Sequence, residues 1–243
     1  MSPRSTFVWV SCVLIAFTTT YHPIDAAAAD PAPAMETGIV LERLSDEELR
    51  QWRSIEYLVD ASAPNGAERY PTLRGLWQST AQSGNAIYIE LSSPDCADWE
   101  VAGRFLIERV DPQAARHIGV IRLCLANIDR CAPRGVGRRA NGFVRLAGLR
   151  NSERYAEVLG HELAHAADAF ASPERARMVQ ERVATVTAQF VKHRAKHGSE
   201  PLDPALQQRL EERDALVEEL EAHADSMELL VWRELARRRA KID

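Results

Sequence analysis

Two histidines and a glutamate in one short segment are the residues of this sequence best suited to do chemistry. Residues 160–170 have the sequence GHELAHAADAF, in which His161 and His165 stand four positions apart and Glu162 follows the first histidine. Each residue of a helix advances by about 100°, so the two imidazoles project from one side, within about 40° of each other. Neutral imidazole is a good zinc ligand, and in this His-Glu-x-x-His spacing the glutamate can act on a water bound to the metal.

The apolar neighbours of the histidine pair predict a helix with one packed face. Four apolar residues share the side nearly opposite the two histidines: Leu159, Leu163, Ala166 and Phe170. One face of the helix can therefore pack on a core while the other presents two imidazoles to a cleft. The alternative interpretation is an amphipathic helix that carries paired histidines by chance.

A catalytic zinc site needs a third protein ligand and an open position for water. Six residues further along the chain are candidates for that ligand: His193, His197, Glu218, Glu219, Glu221 and His223. The first two of these histidines come at a predicted helix end just before Gly198, where the helix dipole already favours histidine.

Glu221 is the candidate that the helical pattern favours, because it borders the apolar stripe of the last predicted helix. A partly desolvated carboxylate needs a cation nearby. Asp225, one turn later, can then accept the free ring N–H of His161 and so fix the orientation of that ring. Asp168, one turn after His165, is either another such acceptor or an exposed polar residue. The alternative for the acids is a solvated helix face.

The elements that position these residues predict an α+β fold, with a small mixed sheet followed by a mostly helical C-terminal half. Alternation and β-branched residues predict strands over residues 85–93, 119–128 and 141–149. Ser45 and Glu48 form a capping-box pattern that begins a helix of roughly fifteen residues. Further helices are predicted from Pro71, from Ser152 to near residue 171, from Pro173, and over residues 204–240.

The first residues predict export. Arg4 precedes an apolar run over residues 7–17, and Ala27 and Ala29 suit a small-x-small cleavage site, so residues 1–29 are typical of a secretory signal peptide. An uncleaved amphipathic anchor is the alternative. We expect a flexible lead-in over residues 30–40, one domain over residues 41–243, no transmembrane segment in the mature chain, and a secreted or periplasmic location.

Charge and cysteine content limit the function classes further. The 243-residue chain has a net charge of −5, which disfavours a nucleic-acid-binding protein. Cys96, Cys124 and Cys131 follow the predicted signal peptide, and an oxidising compartment permits one disulfide and one free thiol among them. The sequence leaves the pairing open.

The two motifs VLGHELAHAAD and EAHADSMELL resemble those of the gluzincin metallopeptidases, and the minimal gluzincin domain of the CAAX-prenyl endopeptidase family and its periplasmic relatives is the most similar. The resemblance covers roughly residues 70–235 and implies a zincin-like domain with zinc on His161, His165 and Glu221 and with Glu162 as general base. The transmembrane helices of the integral-membrane members are absent here, and the inserted His223 is unusual. Tyr155 and His223 are the candidates for stabilising the oxyanion.

The residues and the resemblance together lead to one expected function, an exported zinc metalloendopeptidase that acts on a peptide or protein substrate. The strand over residues 85–93 or the one over residues 141–149 could bind an extended peptide by edge pairing, and the second is favoured because it precedes the motif helix. A zinc-binding envelope protein without peptidase activity, either chaperone-like or a pseudopeptidase, is the alternative. A helical scaffold without metal is a third.

Overall fold

The computed structural model describes residues 38–59, 70–92, 94–97, 101–111, 116–131 and 151–237. Within these ranges the strands are β1 Gly38–Val40, β2 Ala86–Glu90, β3 Gly103–Asp111 and β4 Arg116–Leu123. The helices are α1 Asp46–Val59, α2 Pro71–Ala81, α3 Leu125–Cys131, α4 Asn151–Ala171, α5 Pro173–His197 and α6 Pro204–Arg237, with a short 3-10 helix at Pro94–Ala97. The predicted α+β fold, a small mixed sheet with a mostly helical C-terminal half, is confirmed.

The described sheet is mixed and has the strand order β1-β2-β4-β3. Strands β1, β2 and β4 are parallel, whereas β3 is antiparallel to β4 and forms an edge of the described sheet. The strand predicted over residues 85–93 corresponds to β2, which lies between β1 and β4. The prediction that this strand could accept a peptide at its edge is therefore wrong.

Two other sequence predictions about the sheet need correction. The strand predicted over residues 119–128 ends at Leu123, because the Cys124 carbonyl accepts the N–H groups of Asn127 and Ile128 and begins α3. The predicted lead-in over residues 30–40 is too long, because Gly38–Val40 pair with β2 as β1. Residues 1–29 and 141–149, with the signal peptide and the third strand predicted there, lie outside the described residues.

Helix α4 lies at the centre of the fold and carries the histidine motif. It packs against the other long helices and against β3 and β4. Leu159, Leu163 and Ala166 of its predicted apolar face are fully buried, and the Phe170 ring meets that of Phe105 edge to face. The packed helix over residues 152–171 is confirmed, and its motif side is left facing α6 and the start of β3.

Helices α5 and α6 form a hairpin whose second arm returns along α4. The turn begins at Gly198, where the backbone has a φ of 59° that favours glycine. Separately from the main core, Val186, Leu206 and Leu210 form a small apolar cluster that holds the two arms together. Near its other end, α6 provides Glu234, whose carboxylate accepts the backbone N–H of Thr72 in the first turn of α2. Helix α6 is therefore joined to three other helices.

A disulfide and an asparagine hold the segment that leads into β3. Cys96 is bonded to Cys124, which answers the pairing question that the sequence left open. The Asn127 side-chain amide donates to the carbonyls of Cys96 and Val101 at 3.1 and 2.9 Å. These links fix where β3 begins. Among the helices in the described ranges, none has the length and apolar character that crossing a bilayer requires.

Candidate metal centre

Helix α4 presents His161 and His165 side by side, with their ring centroids 4.7 Å apart, next to α6. Gly160 directly precedes the first histidine, and a Cβ atom built on it would lie 3.0 Å from a methyl carbon of Val231 on α6. Because glycine has no such atom, α6 can approach α4 closely at this point. A glycine inside an otherwise good helix is a sequence signal for such a close approach.

The donor groups of three side chains from two helices meet in one small triangle, to which Glu221 contributes both oxygens of its carboxylate. The Nε2 atoms of His161 and His165 lie 3.1 Å apart. One carboxylate oxygen of Glu221 lies 3.1 Å from the first Nε2 atom, and the other oxygen lies 3.5 Å from the second. The structure thus brings together the three predicted ligands, which could hold a metal ion.

The second ring nitrogen of His161 is held mainly by an acid that the sequence analysis missed. Nδ1 lies 2.9 Å from a carboxylate oxygen of Glu228 but 3.9 Å from Asp225, the predicted partner. Only the shorter distance is that of a hydrogen bond. Glu228 stands seven positions after Glu221, a spacing that places both on the same side of α6, so the sequence contained a signal for it.

The charges of the cluster stabilise each other. Burial lowers the pKa of His161, but its hydrogen bonds with Glu221 and Glu228 outweigh this effect and hold the pKa well above its ordinary value. Burial raises the pKa of Glu221, but hydrogen bonds from His161 and His165 outweigh it and leave the pKa well below its ordinary value. A protonated imidazole therefore faces an ionised carboxylate, and a bound cation would replace that proton.

Glu162 is buried beside the histidine pair and against the start of β3. A Cβ atom on Gly103 would lie 2.7 Å from its carboxylate oxygen, so the glycine makes room for this side chain. Burial raises the pKa of Glu162, the charges of His161 and His165 lower it, and the nearby acids raise it, with a net increase. A carboxylate with a raised pKa is better suited to accept and return a proton near neutral pH.

The remaining predicted groups have partners away from the triangle. Asp168 is exposed and lies 2.7 Å from Nδ1 of His223, so the interpretation of Asp168 as an exposed polar residue fits better than that of an acceptor for the zinc-binding histidines. The Tyr155 hydroxyl donates to Asp129 at 2.7 Å, and burial together with this bond raises the pKa of Tyr155. Neither oxyanion candidate gains support from these contacts.

The other candidates for the third ligand lie elsewhere. Glu219 pairs with Arg175 at the surface, and Glu218 is exposed. His193 and His197 lie near the end of α5, as predicted, and their rings stack on each other. Among the described residues, none of these four belongs to a group of three side chains arranged to hold a metal.

Comparison of the chain with protein families, with curated proteins and with solved structures finds no significant match.

Proposed function

We propose that this protein is an exported, zinc-dependent metallopeptidase that hydrolyses peptide bonds. The observation that carries the proposal is the donor triangle, which joins the two histidines of a His-Glu-x-x-His helix to a glutamate from a helix that is distant in sequence. The nitrogen and oxygen atoms of this triangle lie 3.1 to 3.5 Å apart. The disulfide is consistent with an oxidising compartment, and so supports export.

The separations between these donor groups are compatible with a bound zinc ion. Ligand atoms bound tetrahedrally at about 2.0–2.1 Å lie about 3.3 Å from one another. The two Nε2 atoms are 3.1 Å apart, and the two oxygens of Glu221 lie 3.1 and 3.5 Å from one Nε2 atom each, so these separations fall on either side of that value. Two imidazoles and one carboxylate are the protein ligands of many catalytic zinc sites, which keep a fourth position for water, whereas calcium and magnesium prefer oxygen ligands.

The surrounding residues have distinct roles in this proposal. When bound, zinc lowers the pKa of a water molecule to about 7 and polarises the scissile carbonyl. Glu162 accepts a proton from the attacking water and returns it to the leaving amine. Glu228 holds His161 through Nδ1, which would leave Nε2 to bind the metal.

Strand β3 offers an extended peptide a place beside the proposed base. It forms an edge of the described sheet, and its first residue, Gly103, contacts Glu162. Main-chain hydrogen bonds to a strand edge bind a peptide with little dependence on its sequence. This strand replaces the two predicted edge strands, of which one is internal and the other lies outside the described residues.

The test combines zinc measurement with peptide cleavage on the purified protein. Glu162→Gln should keep its zinc and lose cleavage of a mixed peptide library by about 10²- to 10⁴-fold, because it cannot act as a base. Glu221→Ala should lose zinc and cleavage together. Glu219→Gln is the matched control, since this exposed acid of the same helix pairs with Arg175 and should change neither quantity.

Two outcomes would contradict the proposal in different ways. Full zinc retention by Glu221→Ala would show that the ligand assignment is wrong. Zinc binding without cleavage of any peptide would contradict the peptidase and leave a zinc-binding envelope protein without that activity.

A further inference from the structure

Strand β3 has a backbone edge that faces away from β4, beside the proposed base. Residues 103–107 pair with residues 119–123 of β4 in unbroken register. The N–H of Ile107 points away from β4, because it donates to the side-chain oxygen of Gln180 at 3.2 Å. Backbone groups alternate in direction along an antiparallel ladder, so Gly103 and Phe105 also present their N–H and C=O groups on this edge.

Helix α5 closes the edge at Ile107. Gln180 belongs to α5, which packs against β3, and its side chain occupies the N–H that an added strand would need. The register of β3 also shifts between Ile107 and Arg109, so the regular pairing with β4 is interrupted at the same place. Within the described residues, the edge that pairs with no other strand therefore extends from Gly103, beside Glu162, to the point where α5 contacts β3.

The length of this edge limits the substrate. Four residues of strand advance about 13 Å, which is room for about four extended residues between the base and α5. Antiparallel pairing is the more stable arrangement, and a peptide antiparallel to β3 has its N-terminal part towards α5. We infer that the protein accepts substrates with at most about four residues before the scissile bond and releases short N-terminal fragments. This inference rests on the proposed function.

The position of cleavage tests this inference. Long unstructured peptides are incubated with the zinc-loaded protein, and the first products at low conversion are identified by mass spectrometry. We expect the first N-terminal products to be up to about four residues long, and we expect no longer N-terminal products among them. First cuts further from the N-terminus would overturn the inference while supporting the peptidase. Absence of any zinc-dependent cleavage would overturn the proposed function and this inference with it.

A pair of variants tests whether the Gln180 side chain on α5 limits the length of the substrate. Gln180→Ala exposes the Ile107 N–H, and the longest N-terminal product should grow by about one residue. Gln189→Ala changes an exposed glutamine of the same helix and should leave the product lengths unchanged. Identical product lengths from the two variants would show that Gln180 does not limit the substrate.

Discussion

Replacing Glu228 with glutamine tests which carboxylate orients the first proposed zinc ligand. The substitution keeps the shape of the side chain and removes its charge. Asp225→Asn is the matched control, because it makes the same chemical change one turn earlier on the same helix. We expect zinc affinity to fall strongly in the first variant and little in the second.

The structure sets the size of the two effects. The Glu228 side chain is 6% exposed and lies 2.9 Å from Nδ1 of His161, and a charge-assisted hydrogen bond of this kind contributes about 1.5–3 kcal/mol. Loss of such a partner typically weakens metal binding about 10- to 100-fold. Asp225 lies 3.9 Å away and is 31% exposed, so its contribution should be about 0–1 kcal/mol, or at most about fivefold.

Competition with a chromophoric zinc chelator at fixed pH measures the affinity of each variant. Circular dichroism on the same samples shows whether the helices remain folded. If Asp225→Asn weakens zinc binding as much as Glu228→Gln does, the assignment of the orienting acid by distance is wrong.

Two further predictions concern proton release and helix approach. Because the pKa of His161 is raised in the folded protein, its proton stabilises the metal-free state at low pH, and this contribution is lost as the pH rises through that pKa. Zinc affinity, measured by chelator competition across a pH series, should therefore increase with pH until the pKa is passed, and a flat profile would contradict this. Gly160→Ala should be less stable than Gly75→Ala by roughly 1–3 kcal/mol in urea unfolding, since only the first adds an atom against Val231, whereas equal stabilities would argue against close approach at this glycine.

Features that depend on local spacing were predictable from the sequence. The capping box is an example, because Glu48 accepts the N–H of Ser45 at 2.8 Å and both groups lie within one turn. The motif helix is another, since its apolar residues recur at helical intervals and its buried face follows from that period. The histidine pair projects from one side of α4 for the same reason.

Features that depend on distances between elements were not predictable in this way. Asp225 and Glu228 share one side of α6, and only the separation of α6 from α4 decides which acid reaches His161. Strand β3 was missed because Arg104 and Glu108 interrupt its apolar residues, as charges often do in an edge strand. The position of Glu221 beside the histidine pair was predictable because the apolar stripe of α6 shows which side faces the core.

Helix α6 supplies both Glu221 and Glu228 to histidines that belong to α4, and it also caps the start of α2 through Glu234. If a metal ion binds here as proposed, its binding is coupled to the packing of α6 on α4, since neither helix alone carries the complete ligand set. Removal of the ion would then favour conformations in which α6 has separated from α4 and the buried Val231 and Leu235 are exposed. Under the proposed function, metal supply would therefore affect the stability of the folded protein as well as its activity.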